Sequence, residues 1–240
     1  RYWRGTHAAI VSRLPGLRIR QTNGIPLARG LGTSAAAIAA GLVGANALAG
    51  DPLSVGELVD MATAIEGHPD NVTACLVGGL AVTAVEGECV HYARVAVPPG
   101  LQVVLYVPEF QTSTRAARRH LSDTYSRADA VFTLSRAALT TAALATGRWD
   151  LLRIGMQDCM HQPYRAKAYP EMPHLIQAAL DAGACGAALS GSGPTIAAFT
   201  EGDGEPVARA LEAAGAAHGL TGRGLRVDVD SDGAAVLERE

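Results

Sequence analysis

Lysine is almost missing from this chain: of 20 basic residues only Lys167 is a lysine, and no basic run exceeds Arg118-Arg119-His120. Against 23 acidic residues and a formal net charge of -3, there is no electrostatic footprint for nucleic acid or for an acidic membrane surface. The charge balance points to a small-molecule partner. Cysteine is sparse as well. Cys75, Cys89, Cys159 and Cys185 are far apart and form neither a CxxC pair nor a Cys/His cluster, which argues against a zinc site and a disulfide frame and fits a reducing compartment. Long apolar runs are lacking too. None reaches the roughly 18 to 20 consecutive residues that cross a bilayer, and "RYWRGTHAAI" has no signal-peptide layout. These absences together lead us to expect a soluble, cytoplasmic protein with no membrane and no nucleic-acid partner.

What the chain does have is apolar mass. Its 240 residues are 48% hydrophobic and 18% charged, enough for one large or two small packed domains. Residues 17 to 25, "LRIRQTNGI", alternate apolar and polar positions and end at Asn23-Gly24, the pattern of a half-buried strand and a turn. From Thr33 the run "TSAAAIAAGLVGANALAG" predicts about four helical turns that stop at Gly50. Ser54 and Glu57 form a capping-box pair for a helix through about Ile65. Strands are expected at 80 to 85 and 89 to 96, before the break at Pro98-Pro99-Gly100. That break divides the chain into two expected domains, 1 to 98 and 99 to 240.

The second half opens with the strand "LQVVLYVP" (101 to 108). Helical patterns follow near 113 to 121, 126 to 147, 149 to 159 and 170 to 183. Strands are expected near 185 to 189 and 194 to 200, a helix near 204 to 217, and a last strand at 224 to 229. The hairpin-like spacings favour an α+β sandwich over a doubly wound sheet.

Three stretches carry candidate chemistry. In "PLARGLGTSAAA" (26 to 37), Gly30, Gly32, Thr33 and Ser34 precede a helix. A helix start leaves backbone N–H groups unpaired, and glycines let an anion approach them. A plain cap by Thr33 or Ser34 satisfies the same residues. With no lysine after the glycines it is not a Walker A loop, and the glycine spacing is wrong for a dinucleotide fingerprint. "EGHPDN" puts Glu66, His68, Asp70 and Asn71 within six residues; a carboxylate such as Glu66 suits Mg²⁺ beside phosphate oxygens. The competing reading is a solvated loop in which Asp70 caps the next helix. "ALSGSGPTIAAF" joins two apolar runs through Ser190, Gly191, Ser192 and Gly193, and by itself reads as a hairpin turn.

In this order and spacing the three stretches resemble the GHMP family of small-molecule kinases, in particular its homoserine kinase branch. Pro26 to Ala36 match the motif P-x-x-x-G-L-G-[ST]-S-A-[AS] throughout, "LSGSGPTIAAF" is similar to the family's C-terminal glycine motif, and "EGHPDNV" followed by a double glycine resembles the homoserine kinase variant. "STRAARRHL", "ADAVFTLSRAALTTAALATGRWDLL" and "HQPYRAKAYP" extend the likeness over about residues 17 to 230.

The resemblance implies a two-domain α+β fold: an N-terminal domain like ribosomal protein S5 and a C-terminal ferredoxin-like sandwich. It also implies the reaction, transfer of the γ-phosphoryl group of ATP to the side-chain hydroxyl of L-homoserine in threonine biosynthesis, with Mg²⁺. Carried over residue by residue, the ATP site is Pro26, Arg29, Gly30, Leu31, Gly32, Thr33, Ser34, Ala35 and Ala36, and the metal site is Ser34 with Glu66. The amino-alcohol site is His68, Asp70, Asn71, Thr114, Arg118, Arg165 and Gly191, with Arg118 joining Ser34 and Glu66 in catalysis. The two arginines would hold the substrate carboxylate. With no lysine near the motifs, catalysis would rest on positioning and electrostatics, the γ-phosphate taking the hydroxyl proton.

Family members are often dimers, so a homodimer is implied. One departure is that the family's opening segment P-x-[ST]-x-N-L-G-x-G-F-D has no counterpart; on that reading about 80 residues precede Arg1 in the family's layout, and these 240 residues alone are expected to be unstable or inactive. Two alternatives stay open: a mevalonate-type GHMP kinase, for which "HPDN" and "HQPYRAK" are unsuited, and an inactive metabolite-binding member of the fold. The latter would be marked by loss of Ser34, Glu66 or the glycines, and none is lost.

Overall fold

The computed structural model describes residues 16–112, 119 and 121–237. The alanine-rich run forms α1 (Thr33–Leu48) as its composition predicts, and Ser54 caps α2 (Val55–Glu66) through a complete box with Glu57. α3 (Asp70–Val77) follows after a three-residue bend. β1 (Leu80–Glu86) and β2 (Cys89–Val95) then pair antiparallel, in register from Leu80 opposite Val95 to Glu86 opposite Cys89. Ala35, Ala39, Leu58, Val59, Ala62, Val72, Leu76 and Val77 form one core, with Val90 and Tyr92 of the hairpin packed on it.

The expected strand at 17 to 25 is not formed. That stretch is irregular, and Leu17 and Ile19 are 49% and 83% exposed. Alternation marks a strand only when a neighbour pairs with the backbone and a core covers one face, and no described residue does either here.

β3 (Leu101–Pro108) begins the second half. α4 (Arg127–Thr146) carries its own capping box between Ser126 and Asp129. Where one helix is expected over 149 to 159, the chain makes a 3₁₀ turn (Trp149–Leu151), the single-turn α5 (Leu152–Gly155) and an irregular connector. Next come the single-turn α6 (Gln162–Arg165), α7 (Met172–Asp181), β4 (Gly186–Leu189), β5 (Ile196–Glu201), α8 (Glu205–Ala217) and β6 (Gly222–Val227). The sheet order is β4-β5-β3-β6 and every pair is antiparallel. With α7 before β4 and α8 between β5 and β6, this is a ferredoxin-like sandwich. Val104, Tyr106, Leu175, Ile196 and Leu211 anchor its core, and all five side chains are inaccessible to solvent.

A third cluster, Leu101, Ala143, Leu144, Trp149 and Leu152, packs against Leu80 and Val97 and so joins the two halves. After β6 the chain returns to the first half: Gly79 N–H donates to Asp230 O at 2.7 Å and Arg94 donates to Ser231 O. The Ser54 cap has a consequence at a distance, since α2 ends at Glu66. Ser54→Ala should lower stability by about 1 kcal/mol, which a denaturant melt of both proteins checks.

Candidate active site

The glycine loop enters α1 through three left-handed residues within five positions: Ala28 (φ 54), Gly30 (φ 73) and Gly32 (φ 69). Gly32 is the N-cap, and no side chain caps the helix. Neither hydroxyl therefore does the work of a plain cap. Thr33 Oγ1 donates to Pro26 O at 3.0 Å and closes the loop on itself, while Ser34 Oγ donates to Glu66 Oε2 at 2.8 Å. The first-turn N–H groups of α1, which have no intrahelical partner, keep the partial positive charge of a helix start for an anion.

Gly30 answers to a different demand from the one its sequence suggests. A Cβ there would lie 2.3 Å from Ser190 O and within 2.9 Å of Gly193 N and O. The turn between β4 and β5 is packed against the glycine loop, backbone on backbone. Ser190 Oγ donates to Gly30 O at 2.8 Å, Thr195 N–H to Arg29 O at 3.3 Å, and Thr112 Oγ1 to Gly193 O at 2.7 Å. The stretch that looked like an ordinary hairpin turn thus braces the loop.

Around this brace lies a cavity of about 780 Å³. Arg29, Gly30, Leu31, Gly32, Thr33 and Ser34 form one wall; Glu66, His68, Asp70 and Asn71 form another; Arg165 and Gly191 close a third side. Residues over 130 positions apart in the chain meet there. α2 ends at Glu66, Gly67 takes the left-handed C-cap conformation (φ 90), and α3 starts at Asp70 with Pro69, not Asp70, as its N-cap. The bend turns the hexad toward the loop. His68 Nδ1 lies 2.6 Å from Asp70 Oδ1, which also accepts the Asn71 N–H at 2.7 Å. Arg165 donates to Gly191 O, and Arg29 donates to Glu109 O and to Leu27 O.

Three expected loop residues do not line the cavity. Pro26 serves as the acceptor for Thr33, Ala35 is fully buried in the helical core, and Ala36 lines the adjoining groove on the far side of α1. Thr114 and Arg118 lie outside the described residues. Five lining residues were not among the site residues expected from sequence: Ala28, Thr112, Leu121, His161 and Ser192. Ala28, Leu121, His161 and Ser192 fall inside quoted motifs, whereas Thr112 gives no local signal.

The chemistry open to this arrangement follows from its oxygen and nitrogen donors. Ser34 and Glu66 offer a hydroxyl and a carboxylate side by side at the helix start. That is a hard-oxygen pair of the kind that shares Mg²⁺ with phosphate. Among the described residues no group of three or more His, Cys, Asp or Glu side chains converges, so a metal here would take much of its coordination from substrate and water. The Cys75 thiol, on the groove side of α3, is pushed up by burial and then by the Glu66 charge.

Comparison with known proteins identifies the family. The model described as GHMP kinases N terminal domain matches residues 2–79, and GHMP kinases C terminal matches residues 140–217. The homoserine kinase of Moorella thermoacetica is 47% identical over 204 residues, 85% of this chain and 69% of that protein. That of Deinococcus radiodurans is 44% identical over 93% of this chain and 73% of its own length. Among solved structures, homoserine kinase from Cytophaga hutchinsonii superposes with a TM-score of 0.82 at 28% identity, covering 88% of this chain and 70% of that one. L. major mevalonate kinase shares the fold, at TM-score 0.63 and 18% identity. On these matches the chain belongs to the homoserine kinase family of GHMP kinases.

Proposed function

We infer that this chain transfers the γ-phosphoryl group of ATP to the side-chain hydroxyl of L-homoserine, releasing O-phospho-L-homoserine and ADP. The observation that carries the reading is the single cavity in which the glycine loop, the Ser34–Glu66 pair, the His68–Asp70–Asn71 cluster and Arg165 face one another. On this reading the N–H groups of residues 30 to 34 receive the phosphates. Ser34 and Glu66 would hold Mg²⁺, which supplies charge neutralisation on the phosphate oxygens. The Asp70 carboxylate, 70% exposed and held by His68 and its neighbouring amide, takes the substrate ammonium. Arg165, with Arg118, takes the substrate carboxylate in the bidentate manner that guanidinium allows.

Phosphoryl transfer asks little covalent chemistry of a protein, so positioning and charge carry the rate. The sole lysine, Lys167, lies over the Tyr164 ring at 5.2 Å from its centre and outside the residues lining the cavity. A cytoplasmic homodimer acting in threonine biosynthesis, with domains 1 to 98 and 99 to 240, completes the reading. Among the described residues no helix is long and apolar enough to cross a membrane.

An ADP-release assay with L-homoserine, L-serine and mevalonate side by side tests the substrate. L-homoserine should give a kcat/KM about a hundredfold above mevalonate, which has a carboxylate but no ammonium to pair with Asp70, and about tenfold or more above L-serine, which is one methylene shorter. An equal or higher kcat/KM with mevalonate would overturn the assignment.

A further inference from the structure

α6 is one turn long, yet it delivers Arg165 to the cavity. A single helical turn does not hold its shape unaided, so its place must come from its attachments. Asp158 supplies the first. Its carboxylate accepts three consecutive backbone N–H groups, from Met160 at 2.8 Å, His161 at 2.8 Å and Gln162 at 2.6 Å. Gln162 supplies the second, its Oε1 accepting the Leu189 N–H of β4 at 3.0 Å. From Leu189 the chain runs directly into the turn whose Gly191 carbonyl receives Arg165.

The connector before α6 is itself tied down. Tyr125 Oη donates to Met160 O at 3.0 Å, Cys159 Sγ donates to Asp129 O at 3.4 Å, and Arg136 reaches Gln157 Oε1 at 3.4 Å. None of these bonds touches the substrate side of the cavity. Asp158 and Gln162 instead line a smaller cavity of about 270 Å³ behind the arginine.

We propose that Asp158 and Gln162 are positioning residues that set the guanidinium of Arg165 for the substrate carboxylate, and so contribute to selection of an amino acid over a plain amino alcohol. The inference rests on the reading of Arg165 given above. Asp158 fixes where the turn begins, Gln162 fixes its distance from the β4–β5 turn, and the arginine one turn later inherits both constraints. A displacement of about an ångström at a charged contact is enough to cost a large factor in rate. Cap removal with a purely structural effect would instead weaken every ligand alike.

The test uses the full chain and two ligands, L-homoserine and 3-aminopropan-1-ol, the same molecule without the carboxylate, measured as substrate and as competitive inhibitor respectively. Asp158→Ala and Gln162→Leu should each raise KM for L-homoserine about tenfold, as expected for loss of an interaction made with the bound substrate. KM for ATP and Ki for 3-aminopropan-1-ol should stay within about twofold of wild type. Asp158→Asn, which keeps an oxygen for the His161 and Gln162 N–H groups, should recover most of the loss and carries the test if Asp158→Ala does not fold. In an Arg165→Ala background, Asp158→Ala should change KM for L-homoserine no further.

Equal loss on both ligands, or full additivity with Arg165→Ala, overturns the positioning role while leaving Arg165 its own. If Arg165→Ala by itself leaves the homoserine-to-aminopropanol ratio unchanged, the underlying reading of Arg165 falls, and the positioning inference falls with it.

Discussion

Gly30→Ala should lower kcat/KM on the order of a hundredfold, the scale of a reacting group misplaced by about an ångström. The added Cβ would sit 2.3 Å from Ser190 O, 2.8 Å from Gly193 N and 2.9 Å from Gly193 O. All three are backbone atoms, so no side-chain rotation relieves the contact. The position also has φ 73, where an L side chain costs roughly 1 to 2 kcal/mol. The glycine loop and the β4–β5 turn must therefore separate, and the N–H groups of residues 30 to 34 move with the loop. Both KM for ATP and kcat should change, because the loop is read as holding the phosphates before and during transfer. Gly24→Ala is the matched control: nothing lies within 4 Å of a Cβ there, and its kinetics should stay at wild-type values. Wild-type kcat/KM in Gly30→Ala would show that the two turns are not coupled as their contact implies.

Glu66→Gln should be comparably severe for a different reason. The amide can still accept the Ser34 hydroxyl, so the 2.8 Å hydrogen bond and the end of α2 survive, but the anionic oxygen is lost. If Ser34 and Glu66 share the metal, kcat should fall on the order of a hundredfold at limiting Mg²⁺ and recover partly as Mg²⁺ is raised. KM for L-homoserine should move little, since Glu66 is not among the groups assigned to its ammonium or carboxylate. A Mg²⁺ titration of initial rate for both proteins settles it. Identical Mg²⁺ dependence would remove Glu66 from the metal site and leave the carboxylate a mere acceptor for Ser34. The substitution also removes one of the two causes that hold the Cys75 thiol up, so that thiol should titrate lower than in the wild type.

Local sequence was sufficient where a few neighbouring residues decide the conformation. The alanine run made α1, the Ser54–Glu57 pair made the start of α2, and Gly78-Gly79 separated α3 from β1. The apolar stretches after Pro99 made β3 to β6 close to their expected positions. Where longer-range partners were needed, periodicity misled. "LRIRQTNGI" alternates like a strand yet finds no pairing among described residues. The pattern over 149 to 159 breaks into short turns where Gly155 comes against Thr140 of α4, a Cβ there lying 2.6 Å from Thr140 Oγ1. α6 escaped notice because four residues carry too little pattern to outweigh their surroundings.

The candidate site divides in the same way. Which residues bear the chemistry was legible from motif and resemblance: a hydroxyl and a carboxylate for a metal, glycines before a helix, arginines for a carboxylate. That Thr33 and Ser34 leave the helix uncapped, that Gly30 is a glycine because Ser190 and Gly193 press on it, and that Arg165 reaches Gly191 from a tethered single turn were settled only by tertiary packing. Residue types specify which bonds a side chain is able to make, and local φ/ψ preferences specify helices and tight turns. Contacts between segments 160 positions apart, such as Ser190 with Gly30, exist only once the cores have formed, because nothing within either segment encodes the other's position.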